Sequence, residues 1–295
     1  TPTFSGVFWD SQDVMLEDID RIEVIRGPGA AIWGANAVNG VINIISKKAK
    51  DTVGGLLVAG GGTEQEGFAA MRYGVELNKD THARAYIKGF EKGEFKRPNG
   101  DNAGDDWSNV QGGFRLDSKL TKQDAVTLQG DVYRTNENQS LVYPQLTAPF
   151  SKVDHGHSKN YGWNFLSRLE HQFSDTANYS VQFYYDHYER DEVVNVVNKT
   201  SNDTLDIEFQ NDFTLGERQK VIWGLGYRYI HDNFVATEYS DFLPNSRNTQ
   251  VFSAFFQDEI AIIKDDVFLI LGSKFEHNDY SDFEIQPTAR LMWKI

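Results

Sequence analysis

The sequence contains no cysteine, which excludes disulfide staples, thiolate metal ligands and cysteine nucleophiles. Nowhere does it offer about 18 consecutive apolar residues, so no helix can cross a bilayer. A barrel of alternating strands is not excluded, because such strands never form long apolar runs. Positive charge is in short supply. Lys and Arg number 29 against 43 Asp and Glu, a net charge of -14, which argues against a nucleic-acid partner because phosphate binding needs a basic face. Hydrophobic residues at 40% and charged residues at 24% exclude a disordered chain and a helical membrane protein. A basic, apolar leader is missing at Thr1, and the strand-like run from Ala289 to Ile295 stops without a turn. The chain is therefore expected to be a piece of a longer exported protein.

What is present changes texture near residue 52. Before it, Ile22 to Ile25 and Gly40 to Ile45 read as short strands rich in β-branched residues. Between them Gly27, Pro28 and Gly29 break the first strand, and Pro28 suits the first turn of a short helix over residues 30–34. This is a small α/β unit. After residue 53 the period becomes two. Leu205, Ile207, Phe209 and Phe213 alternate with Asp206, Glu208, Gln210 and Asp212. Val221, Trp223, Leu225, Tyr227 and Tyr229 oppose Gly224, Gly226 and Arg228. Residues 251–260 are apolar on both parities and cannot be oriented. Short turns near 79, 123, 175, 217 and 265 alternate with longer polar connections over 93–106, 136–158, 190–202 and 234–248. About twelve strands are expected, in the up-and-down pattern of an outer-membrane barrel. Tyr133, Tyr143, Trp163, Tyr188, Tyr229, Phe275 and Trp293, near strand ends, suit interfacial girdles. A soluble β-sandwich is the bland alternative, but its strands are usually nearer five or six residues long.

The run from Leu16 to Lys47, with EDIDRIEVIRGP over 17–28 and WGANAVNGVINI over 33–44, resembles the end of the plug of TonB-dependent outer-membrane receptors. The resemblance implies a partial antiparallel membrane β-barrel with a small α/β plug segment at its N-terminus. Residues 1–52 would be the C-terminal part of the plug and 53–295 the N-terminal portion of the barrel, about 12 of about 22 strands. It further implies active uptake of a scarce ligand across the bacterial outer membrane. An inner-membrane TonB energy-transducing complex would drive it, through a contact segment far upstream of Thr1. A ferric siderophore is the default substrate because it is the family's commonest. Haem, cobalamin or a carbohydrate, or a ligand-sensing signalling receptor, are the alternatives. Lipopolysaccharide is the expected surrounding. No cofactor is expected. No nucleophile–base–acid set emerges, so an enzymatic barrel is disfavoured.

Candidate site residues follow. A lumenal plug arginine needs a carboxylate partner, and the resemblance implies that Arg26 pairs with a barrel glutamate (Glu208, Glu259 or Glu276) to lock the plug. Gly27, Pro28, Gly34 and Gly40 are assigned to turn geometry; no Gly-Lys-Ser/Thr follows, so they are not a phosphate cradle. Phe4, Phe8, Trp9 and Asp10 precede the motif, and in the resembled receptors that loop touches ligand. Packing of the same loop against the barrel wall is the competing expectation. His155 and His157, beside Asp154, are weak metal candidates, with a solvated loop favoured over a site. Glu94, Asp101, Asp105 and Asp106 could hold a divalent ion that bridges lipopolysaccharide phosphates.

Overall fold

A computed structural model describes residues 8–26, 40–192, 199–237 and 241–294. Two short strands come first. β1 (Ile19–Arg26) and β2 (Gly40–Ser46) form an antiparallel hairpin, with Ile19 opposite Ser46 and Arg26 opposite Gly40. The helix expected over residues 30–34, together with Gly27, Pro28 and Gly34, lies outside the described residues. Gly40 lies within them, at φ +151°. A Cβ there would sit 2.4 Å from the Ile25 carbonyl oxygen, so only glycine fits.

A 3-10 turn, Ala49–Thr52, then leads into a long run of strands. These are β3 (Gly54–Gly60), β4 (Gly67–Asn78), β5 (Thr81–Lys92), β6 (Trp107–Lys119), β7 (Asp124–Pro144) and β8 (Ser151–Ser174). β9 (Ala177–Glu192), β10 (Thr200–Leu215), β11 (Gln219–Phe234), β12 (Ser246–Ile263), β13 (Val267–Asn278) and β14 (Asp282–Trp293) complete them. All twelve lie in one sheet in sequence order, each antiparallel to the next. The sheet does not close, since no described strand joins β3 to β14.

Register carries two faces from strand to strand. One face holds Tyr86, Gly113, Asp131, Asn164, Asp186 and Thr204 in successive partnership. The other holds Ala85, Phe114, Gly130, Phe165, Tyr185, Leu205 and Tyr229. The first is polar and meets the N-terminal segment; the second is apolar and exposed, with Leu57, Met71, Ile87, Val110 and Leu225 each more than half accessible. A sheet whose bare face is oily suits lipid, where the backbone groups must all be paired within the protein. Register also orients residues 251–260. Phe252 pairs with Tyr227 and faces outward, whereas Phe255 pairs with Gly224 and faces inward. A Cβ on Gly224 would sit 2.5 Å from the Phe255 ring, so the missing side chain is what admits that aromatic.

Three expectations change. The connection expected over 136–158 is mostly strand, because β7 and β8 run for 21 and 24 residues and leave only residues 145–150 as loop. About 9 to 11 residues cross a bilayer, so this hairpin stands well clear of it. Its outward face no longer meets hydrocarbon there, so polarity need not alternate, and only the backbone pairing persists. Of the aromatics assigned to girdles, Trp163, Tyr229, Phe275 and Trp293 share the outward face. Tyr133, Tyr143 and Tyr188 do not: Tyr133 lies over Gly162, Tyr143 is buried against Asp154, and Tyr188 stacks on Phe8. Finally, His155 and His157 lie within β8 rather than in a loop.

The 3-10 turn rests so closely on the inner wall that a Cβ at Gly74 would lie 2.0 Å from the Thr52 carbonyl oxygen. Gly74→Ala should therefore destabilise the folded protein by about 1 to 3 kcal/mol, read as a lower temperature for the gel-mobility shift that marks barrel unfolding. Gly55→Ala, with only a Tyr73 ring carbon at 3.8 Å, should leave that temperature unchanged or raise it. Equal shifts in the two variants would refute the close approach.

Candidate functional site

The N-terminal segment is fastened to the inner wall at two levels. At the lower one, Asp18 is a buried carboxylate at the end of a 3-10 turn, Leu16–Asp18. Arg72 Nη1 donates to one of its oxygens, and Arg84 Nε lies 3.1 Å from the other. Arg84 also donates to the Lys47 carbonyl at 2.6 Å. Beside them, Arg115 grips Asp117 through Nε and Nη2, and its Nη1 donates to Ser46 Oγ at 3.0 Å. Asp117 in turn accepts the Ala49 backbone N–H at 2.6 Å and the Thr127 hydroxyl at 2.9 Å. Strands β4, β5 and β6 thus hold the root of the β1–β2 hairpin. Inside the hairpin, Arg21 donates to Glu23 at 2.7 Å. That bond, chiefly, with a second from Asn43, holds the Glu23 carboxyl below its ordinary pKa.

The upper level is built around Arg190 of β9. Its side chain is only 6% exposed and donates to Asp10 at 2.8 Å, to Glu137 at 3.1 Å and to Glu192. Asn160 of β8 donates to the same Asp10 oxygen at 2.8 Å. The Arg190 guanidinium also lies 4.3 Å over the Phe8 ring, which is stacked on Tyr188. One β5 residue, Lys88, completes the fastening with bonds to Asp13 at 2.6 Å and to the Val14 carbonyl at 2.9 Å. A cleft of about 280 Å³ opens beside this loop between Trp9, Lys88, Phe90, Lys92 and Trp107.

The expected site residues fall differently into place. Phe8 and Asp10 come together on Arg190, as wall-packing residues, while Trp9 stays 76% exposed at the cleft. Phe4 lies outside the described residues. Arg26 forms no ion pair with Glu208, Glu259 or Glu276 within the described residues; Glu276 pairs with Lys274 at 3.4 Å. The hairpin root is held by β4 to β6, whereas those glutamates lie on β10, β12 and β13. The polarity of the observed fastening is also the reverse of the expected one, with carboxylates on the N-terminal segment and cations on the wall. Sequence reasoning passed over Arg72, Arg84, Lys88, Arg115 and Arg190. Their signal was a cation at an inward strand position, which alternation alone does not separate from a solvated one. Asp154 and His155 are strand neighbours and so point to opposite faces; Asp154 accepts from Tyr143, and His155 Nδ1 lies 2.8 Å from Ser140 Oγ. No cluster of three His, Asp or Glu side chains able to hold a metal ion occurs among the described residues. In the 93–106 connection, Asp105 accepts the Phe95 N–H and Asp106 accepts from Asn138.

A family model for the TonB dependent receptor-like β-barrel matches residues 70–295, and one for the TonB-dependent receptor plug domain matches residues 4–41. Over 46 residues the chain is 50% identical to the ferric enterobactin receptor PirA of Pseudomonas aeruginosa, spanning 16% of this chain and 6% of that protein. Over 134 residues it is 31% identical to the vitamin B12 transporter BtuB of Vibrio cholerae, spanning 45% of this chain and 20% of the relative. In three dimensions it resembles the siderophore receptor PirA of P. aeruginosa, with a TM-score of 0.74 at 16% identity over 99% of this chain and 49% of that one. The ferric-catecholate import receptor Fiu of E. coli gives a TM-score of 0.70 at 13% identity, over 93% and 56%. These structural likenesses concern the fold. The chain spans about half the length of the solved structures it matches and a smaller share of the curated relatives.

Removing the charge of Asp18 takes from the buried Arg72 and Arg84 the carboxylate that they share. Asp18→Asn should then cost about 3 to 5 kcal/mol and speed hydrogen exchange over residues 40–52 well above wild type. If exchange there stays unchanged, the lower fastening is not what holds the hairpin.

Proposed function

Because the chain belongs to the TonB-dependent receptor family, we propose that the whole protein takes up a scarce ligand across the outer membrane, and that this ligand is a ferric siderophore. The outer membrane is where the chain resides. The observation that carries the transport reading is the buried ionic fastening of the N-terminal segment to the inner wall at Asp10 and Asp18. A segment held in a pore by ion pairs blocks passage until something breaks them, and such pairs have two discrete states, joined or parted. Work delivered from the inner membrane by a TonB complex is the source of that force in this reading. The names of PirA and Fiu support a siderophore. A cobalamin-like ligand is the second reading, favoured by the 31% identity to BtuB over 134 residues.

Trp9 is assigned to ligand contact, since it is the exposed ring of its loop and borders the cleft with Lys92 and Trp107. Phe8 and Asp10 are assigned to holding that loop in place. Arg26 keeps its proposed locking role, with a carboxylate supplied from beyond this chain.

A strain that lacks the gene should fail to grow when a single ferric siderophore is the only iron source and recover with the gene restored. Growth unaffected on every siderophore but lost on limiting cobalamin would replace the first reading by the second. In the purified whole protein, Trp9→Ala should weaken ligand binding by about 0.5 to 1.5 kcal/mol, the worth of one aromatic stack, without changing thermal stability. Lost stability with intact affinity would return Trp9 to wall packing.

A further inference from the structure

Three carboxylates converge on one buried guanidinium. Arg190 reaches Asp10 at 2.8 Å through Nη1 and Glu137 at 3.1 Å through Nη2, and its Nε donates to Glu192. Glu192 is as deeply buried as Arg190, and Asp10 and Glu137 are 17% and 22% exposed, so water screens the cluster poorly. The elements packed around it supply no second counter-charge. Tyr133 stands beside Glu137 on the inner face of β7, and β8 presents Ser158 and Asn160, whose amide donates to Asp10. β9 adds Tyr188, β10 adds Thr200 and Asn202, and β6 adds Trp107, the cross-strand partner of Glu137. Asn202 in turn donates to Asp232 of β11, a further acid. The nearest other cations are Lys88, committed to Asp13, and Lys92, which lies over the Trp107 ring at 4.5 Å. His157 and His187 share the outward parity of Trp163 and point away. Among the described residues, Arg190 is the only cation paired with Asp10, Glu137 or Glu192.

With every group ionised, the cluster carries two uncompensated negative charges. Carboxylates confined within hydrogen-bond reach do not all ionise together; one of them keeps a proton. Asp10 and Glu137 are close enough for the protonated one to donate to the other. Asp10 Oδ2 already accepts from both Arg190 and Asn160, whereas Glu137 accepts one bond among the described residues. Glu137 is therefore the better seat for the proton. Burial, chiefly, and then the Asp10 charge push its carboxyl up to about 7. It stands in the upper part of β7, past the roughly 9 to 11 residues that cross a bilayer.

We propose that Glu137 and Asp10 share a proton, and that this proton seats the Trp9-bearing loop on the inner wall. Protonated, Glu137 donates to the Asp10 carboxylate while its Oε2 keeps the Arg190 bond. Deprotonated, it repels Asp10, and the loop parts from β8 and β9. Because this carboxyl titrates above its free value in the folded state, the hold is complete in mild acid and is lost as pH rises through about 7. Trp9 directly precedes Asp10 and moves with it. Glu137 is thus a positioning residue that acts on the cleft through Asp10. The seat does not depend on which ligand is taken up, and its test needs none.

No cysteine competes within this chain, and in the purified whole protein any cysteine beyond it is replaced by serine. A nitroxide on Gln12→Cys, an exposed position just past Asp10, then reports the mobility of the loop. The ratio of mobile to immobile spectral components should rise about ten-fold between about pH 6 and pH 8. Glu137→Gln keeps a donor and removes the charge, so it should hold the loop at both pH values and abolish the rise. Asp10→Asn, a change on the loop itself, should flatten the pH response as well. The unfolding mobility shift of each variant controls for folding. A wild-type loop whose mobility does not change with pH overturns the proposal. So does a rise that persists in either variant, or a Glu137→Gln loop that is mobile at both pH values, because the wall would then need the ionised carboxylate.

Discussion

A peptide N–H or carbonyl left unpaired in hydrocarbon costs several kcal/mol, and twelve strands meet that demand by pairing along their length, each with the next. Strict neighbour-to-neighbour order then makes the two faces of the sheet inevitable. Every outward position within the bilayer must tolerate lipid, and every inward position is free to be polar. The ionic fastening of the N-terminal segment depends on this division, because the inner wall is the only place where Arg72, Arg84, Lys88, Arg115 and Arg190 can be buried together with carboxylates.

The fastening has a directional logic. The N-terminal segment contributes Asp10, Asp13 and Asp18, and the wall contributes the cations. Each long side chain springs from a strand held by two neighbours, while each short carboxylate sits on a loop or a 3-10 turn. The rigid partner thus does the reaching. That arrangement holds a compact segment without requiring it to carry long, entropically expensive side chains of its own. Two levels of attachment, at Asp10 and at Asp18, give the segment an upper and a lower hold that differ in composition. The upper one is shared with Phe8, Tyr188 and Glu137; the lower one is shared with the backbone of the 3-10 turn through Asp117 and Ala49.

Glycine and aromatic residues solve a packing problem on the same wall. Phe255 lies over Gly224 and Tyr133 over Gly162, each ring occupying the volume a Cβ would fill. These pairs explain why an aromatic can face a polar interior and why the sequence there looks apolar on both parities. They also show why seven aromatics near strand ends split between the two faces: proximity to a strand end says nothing of parity, and parity follows the partner.

Period-two alternation determined the strand class, the approximate strand number and the lipid-facing residues of β10 and β11, because one repeating solvent contrast is written into every second residue. The motif over residues 16–47 determined the family resemblance for the same local reason. Tertiary structure alone decided the rest. The extent of β7 and β8 was hidden because the contrast vanishes above the bilayer while backbone pairing continues. The facing of residues 251–260 was hidden because it depends on a glycine in the next strand. The partners of Asp10 and Asp18 were hidden because they lie 180 and 54 residues away in the chain, and only a register summed strand by strand brings Arg190 and Arg72 to them.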